Sequence, residues 1–337
     1  MNPVVLAFET SCDETAVAVV RGREVLSNVL SSQVDLHARF GGVVPEVAAR
    51  AHVEAIRGLT HRALAEAGVH PDDLDAVAAT EGPGLVGALL VGHSYAKATA
   101  WARRLPFVGV DHMEGHLFSP LLEHPEFRPP AIVLLASGGH SQLVYAEDWG
   151  KYRVMGATID DAAGEAFDKL ARVMGLGFPG GPAIDRASEG GDPDAVRFPR
   201  ALEDRPFDFS FSGLKTAVLT FIRQATESGD LPSLADMAAS VQEAIVDVLV
   251  EKTLNAVEAT GVRVIGGGGG VLANRRLRRK LTEAAGERGL EVYLPSPVFA
   301  TDNAAMIGAA AVHHLEKGRL GYWTDSVDPG RRLDVRE

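Results

Sequence analysis

The sequence predicts an α/β protein made of two related domains that face one another across a cleft. The chain has 337 residues, and single domains have about 150. Apolar strand-like runs alternate with long helical patterns, as α/β folds require. A strand, a polar corner and a returning strand occur at residues 4–20 and again at 131–146. The repeated hairpin indicates that each domain begins in the same way.

The domain boundary is predicted at residues 123–130, a segment with prolines at 125, 129 and 130 and several charges. Such a composition is typical of linkers. The first domain is therefore expected to span residues 1–122 and the second residues 131–301. The C-terminal helical segment, residues 302–337, is expected to complete the first domain.

Composition restricts the class of protein. The net charge of −12 disfavours a broad nucleic-acid surface but leaves room for a local basic patch or a basic partner. No apolar run reaches the ~20 residues that span a bilayer, and no basic segment precedes an apolar one at the start. Cys12 is the single cysteine, which excludes an internal disulfide. We expect a cytoplasmic protein with no membrane contact.

Elements are predicted from hydrophobic periodicity and from glycine and proline breaks. In the first half, strands are expected at 4–8, 16–20, 24–32, 76–80 and 107–110, and helices at 45–67 and 85–105. In the second half, strands are expected at 131–136, 142–146, 207–215, 262–265 and 291–294. A helix is expected to begin around Asp168 and to run to about residue 174. Further helices are expected near 215–227 and 234–259 and after residues 274 and 303. Residues 175–182 are expected to be irregular.

Two histidines, His112 and His116, follow the strand at 107–110. On a helix they lie one turn apart on the same face, which suits a metal clamp. Ordinary polar side chains at a helix start are the alternative. Asp302 follows a later strand by a short loop, so it is either a helix cap or a third metal ligand.

Polar or glycine-rich segments follow several of the strands. Residues 9–15 contain hydroxyls and carboxylates, which indicates either a functional corner or a solvated turn. The turns at 81–84 and 137–141 and the glycine run at 266–270 permit close approach of a ligand to the backbone, or close packing. The basic cluster at 275–280 is expected to be a solvated helix face, with phosphate contact as the alternative.

Taken in order, these motifs closely resemble the bacterial tRNA N6-adenosine threonylcarbamoyltransferase family, the TsaD family. The resemblance covers residues 4–315 and is carried by segments 9–15, 42–46, 112–116, 137–140, 160–169, 175–182, 209–215 and 301–306. Departures are small: Ser141 stands where threonine is commoner and Phe178 where tyrosine is commoner, while Leu272 sits in the usual Gly-Gly-Val-x-Ala-Asn pattern. None of these residues removes a ligand.

The resemblance implies the fold, the reaction and the site residues. The fold would be two RNase-H-like domains of the actin/sugar-kinase/Hsp70 (ASKHA) type around a nucleotide cleft. The reaction would move a threonylcarbamoyl group from threonylcarbamoyl-AMP to N6 of adenosine 37 in tRNAs that read ANN codons. The metal, Fe²⁺ or alternatively Zn²⁺, would bind to His112, His116 and Asp302. The adenylate would bind to Ala136, Ser137, Gly138, Gly139, His140, Asp168, Gly181, Asp185 and Asn274.

The resemblance also implies partners: tRNA, an inert paralogous ASKHA subunit (TsaB) and a P-loop ATPase (TsaE). For the proton of the attacking N6 we expect help from Asp13 or Glu14 in the first corner. Two alternative functions remain. The first is a metalloendopeptidase, but Glu114 is about 200° from His112 around a helix and so points away from a shared metal. The second is a non-catalytic ATP-binding protein of the same fold.

Overall fold

The computed structural model describes residues 2–333, which form two compact units. The first unit runs to Phe127 and resumes at Asp302–Leu333, and the second is Arg128–Thr301. No helix within residues 2–333 is long and apolar enough to cross a bilayer.

The first unit contains one mixed sheet, with helices that follow strands β3, β4 and β5. Its strands are β1 (Val4–Glu9), β2 (Glu14–Arg21), β3 (Glu24–Ser32), β4 (Ala76–Gly82) and β5 (Phe107–Asp111). Its helices in this part of the chain are α1 (Val34–Ala38), α2 (Pro45–Ala67), α3 (Val86–Arg103) and α4 (His112–Phe118). The strand order is β3-β2-β1-β4-β5, with β1 antiparallel to β2 and parallel to β4.

The second unit repeats this arrangement. Its strands are β6 (Ala131–Ala136), β7 (Ser141–Asp148), β8 (Lys151–Ala157), β9 (Val264–Gly268) and β10 (Glu291–Tyr293). Its helices are α5 (Ala163–Val173), α6 (Gly180–Ala187), α7 (Ser212–Ser228), α8 (Leu234–Thr260), α9 (Arg275–Gly286) and α10 (Pro297–Ala300). The order β8-β7-β6-β9-β10 has the same pattern of antiparallel and parallel pairs. The predicted repeat is therefore confirmed at the level of topology.

The last helix, α11 (Ala304–Glu316), returns to the first unit. The central strand β1 is buried along its whole length. Leu6 and Phe8 contribute to the core that also contains Ile56 of α2 and Ala96 of α3. On the opposite face Gly308 of α11 lies against Ala7 and Val20. A strand covered by helices on both faces reads as a continuous apolar run, which is how β1 was predicted.

Four sequence expectations need correction. Residues 207–215 are not a strand: Asp160 accepts hydrogen bonds from Ser210, Phe211 and Ser212, and this turn leads into α7. Residues 175–182 are not wholly irregular, because α6 begins at Gly180. The glycine run is mostly strand, since β9 extends to Gly268. Finally, α1 and β8 were not predicted; β8 has little apolar patterning because it is an edge strand.

Replacing Gly308 by alanine is expected to destabilise the first unit. The added Cβ would lie 2.8 Å from Val20 Cγ2, so α11 or β2 must move. Overpacking of this kind costs about 1–3 kcal/mol. Urea denaturation measures the change in the free energy of unfolding.

Gly58→Ala is the matched control. Gly58 lies within α2, and a Cβ there would meet nothing within 4 Å. Alanine should raise stability at this position by about 1 kcal/mol through helix propensity alone. Equal stability of the two variants would contradict the close packing of α11 on the sheet.

Candidate functional site

The helix that carries the histidine pair is short and buried. Asp111 caps α4, because its Oδ1 accepts hydrogen bonds from the backbone N–H of Met113 at 2.8 Å and of Glu114 at 3.2 Å. All 7 residues of α4 are buried. The rings of His112 and His116 lie with their centroids 4.7 Å apart. The two imidazoles therefore share one face of the helix.

Asp302 meets both histidines. Its Oδ1 lies 3.1 Å from His116 Nε2 and 3.6 Å from His112 Nε2. One ligand atom from each of the three residues falls within 4.8 Å of the others. Both histidines are buried, whereas the side chain of Asp302 is 22% exposed. The three residues form a group that can hold a metal ion and that solvent reaches from one side.

A second carboxylate, Glu9, orients the first histidine. Glu9 is fully buried at the end of β1, and its Oε2 lies 3.0 Å from His112 Nδ1. Thr80 donates its hydroxyl to the same oxygen at 2.6 Å, and the Ser11 N–H donates to Oε1 at 2.5 Å. A carboxylate hydrogen-bonded to Nδ1 fixes the orientation of the imidazole and leaves Nε2 available to a metal. Glu9 lies in the polar corner predicted at residues 9–15, but the sequence pattern gave it no role and pointed to Asp13 and Glu14 instead.

The donor set fits a divalent transition metal. Ligands about 2.1 Å from one tetrahedral or octahedral ion lie about 3.0–3.4 Å apart, and the Asp302 distances of 3.1 and 3.6 Å are close to that range. Two imidazoles and one carboxylate suit iron or zinc and leave coordination positions open. His116 Nδ1 is buried and finds no hydrogen-bond partner within residues 2–333.

The two histidines differ in protonation. Burial lowers the pKa of His112, but the charges of Glu9 and Asp302 outweigh it and raise the pKa to about 9. Burial lowers the pKa of His116, and the hydrogen bond to Asp302 does not compensate. His112 therefore carries the proton of the pair in the metal-free protein, and a metal must displace it.

The cap of α11 is Asn303, not Asp302. Asn303 Oδ1 accepts a hydrogen bond from the Met306 N–H at 3.0 Å. The sequence left Asp302 as either a helix cap or a metal ligand. Because Asn303 caps α11, Asp302 is not needed as the cap.

Glu114 points away from the histidine pair, as its position on the helix predicted. Its Oε2 lies 2.9 Å from His314 Nε2 of α11. A peptidase needs a general base beside the metal-bound water. Glu114 instead joins α4 to α11, so the arrangement of these residues disfavours peptidase chemistry.

Burial raises the pKa of two further groups in the first corner, the Glu14 carboxyl and the Cys12 thiol. Burial raises the pKa of Glu14 to about 9, and the charges of Asp302 and Asp13 add to it. In the metal-free protein Glu14 therefore holds its proton at neutral pH. Burial also raises the pKa of the Cys12 thiol, so Cys12 is not a thiolate nucleophile.

In the second unit, the glycine corner follows β6 as predicted. Ser137 N–H donates to the His140 carbonyl at 2.7 Å, and Ser137 Oγ accepts from the His140 N–H at 3.2 Å. A Cβ on Gly138 or Gly139 would meet nothing within 4 Å. The backbone at the tip of the corner is therefore open to a ligand. Two internal hydrogen bonds hold its shape.

The other predicted adenylate residues border α5, α6 and α9. Asp168 Oδ1 accepts from the Gly180 N–H at 2.6 Å, which fixes the start of α6 against α5. Gly181 follows with open space around it. Asp185 pairs with Arg275 at 2.7 Å. Asn274 caps α9 through the Leu277 N–H and donates to Gln242 at 2.7 Å.

The glycine run connects this group to the corner. Gly269 has φ +95°, a left-handed conformation that favours glycine, and a Cβ there would lie 2.3 Å from the Ala136 carbonyl. A Cβ on Gly267 would lie 2.7 Å from Leu294 Cδ2. Packing against β6 and against Leu294, which follows β10, thus explains these two glycines. It also brings Ala136 close to the chain that leads to Asn274.

Most of the basic cluster at residues 275–280 is paired within its own unit. Arg276 and Lys280 both bind Glu243, at 2.6 and 2.5 Å, and Lys280 also contacts Asp247. Arg278 donates to carbonyl oxygens of Leu272, Leu294 and Pro295. Arg276, Arg278 and Lys280 are therefore occupied, whereas the side chains of Arg275 and Arg279 are 59% and 64% exposed.

The fold is also found in proteins of known structure. HypF, in a phosphate- and nucleotide-bound form, aligns with a TM-score of 0.62 at 15% identity, over 95% of this chain and 56% of that chain. Component A of the (R)-2-hydroxyglutaryl-CoA dehydratase of Acidaminococcus fermentans aligns with a TM-score of 0.57 at 14% identity, over 94% and 98% of the two chains. Together with the two mixed sheets, these likenesses define a protein of the ASKHA fold.

The sequence comparisons identify the family. The family model of tRNA N6-adenosine threonylcarbamoyltransferase matches residues 24–309. The enzyme of that description from Clostridium perfringens is 49% identical over 335 residues, 99% of each chain. The chain therefore belongs to the tRNA N6-adenosine threonylcarbamoyltransferase family, and its activity is the formation of t6A in tRNA. This confirms the resemblance noted in the motifs.

Asp302→Asn is expected to weaken metal binding with little effect on folding, because Asp302 is a ligand candidate and caps no helix. Asn303→Ala should do the opposite, since loss of an N-cap costs about 1 kcal/mol. Elemental analysis after anaerobic addition of Fe²⁺, together with urea unfolding, separates the two effects. Equal metal content in the two variants would exclude Asp302 as a ligand.

Acid should weaken the second unit through Glu243. Burial raises the pKa of Glu243, but Arg276 and Lys280 outweigh it and lower the pKa from 4.5 to about 2. Its contribution to stability is thus complete above pH 4.5 and is lost as the pH falls to about 2. Unfolding by urea at a series of pH values should show this loss in the native protein.

Glu243→Gln should lack this acid-dependent contribution. Glu258→Gln is the control, because Glu258 is exposed on the same helix. If the Glu258 and Glu243 variants show the same pH dependence, the ion pairs of Glu243 are not stabilising.

Proposed function

We propose that His112, His116 and Asp302 hold one Fe²⁺, with Zn²⁺ as the alternative, and that this centre binds the threonylcarbamoyl end of threonylcarbamoyl-AMP. The support is the convergence of three ligand atoms within 4.8 Å and the Glu9 contact that leaves His112 Nε2 available. A bound divalent ion supplies Lewis-acid polarisation of the carbonyl group.

In the second unit, we propose a site for an adenylate group. The backbone N–H groups of Gly138 and Gly139 would hold the phosphate, since open glycine turns suit anions. Ser137 and His140 would hold the shape of the corner, because their own N–H groups donate within it. Ala136, Asp168, Gly181, Asp185 and Asn274 would contact the nucleoside. The Asp185 carboxylate is held by Arg275 at 2.7 Å; the side chain of Asp185 is 16% exposed and that of Arg275 is 59% exposed.

The reaction needs no covalent intermediate with the protein. N6 of adenosine 37, in tRNAs that read ANN codons, attacks the carbonyl carbon; the bond from that carbon to the phosphate oxygen breaks and AMP leaves. One proton departs from N6. Asp13 or Glu14, in the corner after β1, would accept this proton.

The partners proposed are a paralogous ASKHA subunit without activity (TsaB) and a P-loop ATPase (TsaE), working with this chain in the cytoplasm. The support is the family and the charge balance: the net charge is −12, and most of the dense basic cluster on α9 is occupied by acids and carbonyl groups. Partner subunits would then supply much of the surface that binds tRNA. We also propose that the two compact units correspond to the two RNase-H-like domains.

His116→Ala is expected to lower the transfer rate by about 100-fold or more, because a lost ligand removes the Lewis acid. The measurement uses purified protein, tRNA and preformed threonylcarbamoyl-AMP, with t6A quantified by mass spectrometry and AMP by chromatography. His61→Ala is the control, since His61 is exposed on α2, and it should retain full activity. The reaction is run with and without the two partner proteins.

The alternatives give different products in the same assay. A cleaved glycoprotein would indicate an endopeptidase, and ADP formed from ATP would indicate a kinase-like ATPase. Full t6A formation by metal-free His116→Ala would show that the metal role is wrong.

A further inference from the structure

The segment that follows α11 crosses the first unit beside β5. The Gly321 N–H donates to the Phe107 carbonyl at 3.0 Å, where β5 begins. Lys97 of α3 donates to the Trp323 and Asp325 carbonyls at 3.2 and 2.5 Å. At the other end of the sheet, the Asp328 N–H donates to the Glu81 carbonyl at 2.8 Å. The segment is thus anchored from the start of β5 to the carboxyl end of β4.

Arg331, near the end of this segment, lies between two buried carboxylates. Its NH1 lies 2.7 Å from Glu81 Oε2, and its Nε lies 3.2 Å from Asp111 Oδ2. The side chains of Glu81 and Asp111 are only 8% and 5% exposed. Two carboxylates that cannot reach bulk water need a cation between them. Arg331 supplies it from a position 250 residues away from Glu81.

Two glycines make room for this contact. Gly82 has φ +155°, and a Cβ there would lie 1.8 Å from the Asp328 carbonyl oxygen. A Cβ on Gly109 would lie 1.8 Å from Glu81 Oε1. Side chains at either position would exclude the segment or the carboxylate. The glycines of β4 and β5 therefore leave room for the C-terminal segment and for the Glu81 carboxylate.

Asp111 links Arg331 to the histidine helix. One carboxylate oxygen, Oδ2, faces Arg331, while the other, Oδ1, accepts the Met113 and Glu114 N–H groups at the start of α4. The next residue in the chain is His112. Because α4 has only 7 residues, the placement of its first turn decides where both imidazoles point.

We propose that Arg331 is a positioning residue for the histidine helix: by holding Asp111 from the side opposite the helix, it orients α4 so that His112 and His116 converge on Asp302. The inference rests on the proposed metal-binding role of those three residues. Arg331 contacts neither imidazole, so it acts through Asp111.

The test compares Arg331→Ala with Arg332→Ala. Arg332 is the adjacent arginine and is exposed, so it controls for charge in the segment. Co²⁺ serves as the probe, because its visible absorption spectrum depends on ligand geometry. We expect Arg331→Ala to bind Co²⁺ about 10–100-fold more weakly, as outer-shell changes do, and with an altered spectrum. Arg332→Ala should match the native protein.

Arg331→Lys keeps the positive charge. It serves as the second variant if Arg331→Ala does not fold. A single ammonium cannot contact both carboxylates as the guanidinium does. We therefore expect partial rescue, with Co²⁺ affinity between those of the native protein and Arg331→Ala. Native affinity and an unchanged spectrum in both Arg331 variants would overturn the proposal.

A readout without metal separates this proposal from the proposed function. The imidazole C–H resonances of His112 and His116 in the metal-free full-length protein should shift in the Arg331 variants and not in Arg332→Ala. If the native protein bound no Co²⁺, the metal role would fail, and these resonances would still decide whether Arg331 orients α4. Unchanged resonances in both Arg331 variants would reject it.

Discussion

A carboxylate buried at the end of the central strand constrains the whole histidine site. Glu9 has no exposed surface, and a buried carboxylate is tolerated only when its oxygens are paired. Thr80, the Ser11 N–H and His112 supply the partners. Since His112 faces Glu9 with Nδ1, its Nε2 faces Asp302. The same interaction satisfies a buried charge and selects the nitrogen that a metal can use.

The two units show how one topology supports different chemistry. Both sheets have the same strand order and the same pairing pattern. The corner after β1 carries acids, and the first of them orients an imidazole. The corner after β6 carries two glycines with open space above them, which suits an anion. In each unit the corner follows the first strand, β1 or β6, which is the central strand of its sheet.

The C-terminal part of the chain completes the histidine site from several directions. Asp302 contributes a ligand atom, and Asn303 caps the helix in its place. His314 of that helix is hydrogen-bonded to Glu114, so Glu114 is not available as a general base. Arg331 then pairs with Asp111 at the start of α4. The helix of the histidines is therefore held at its first turn, on its opposite face and at the ligands themselves.

The sequence by itself determined the repeated hairpin, the positions of most strands and helices, the histidine pair on one helical face and the glycine corner. These follow from periodicity and turn chemistry, which depend on residues a few positions apart. Only the tertiary structure decided that Glu9 meets His112, that acids pair with most of the cluster on α9 and that Arg331 reaches Asp111. The residues of the first pair are 103 positions apart, and no local pattern encodes such a contact. The segment at 207–215 shows the same limit: its alternation predicted a strand, but hydrogen bonds from Phe211 and Ser212 to the distant Asp160 instead fix the start of α7 at Ser212.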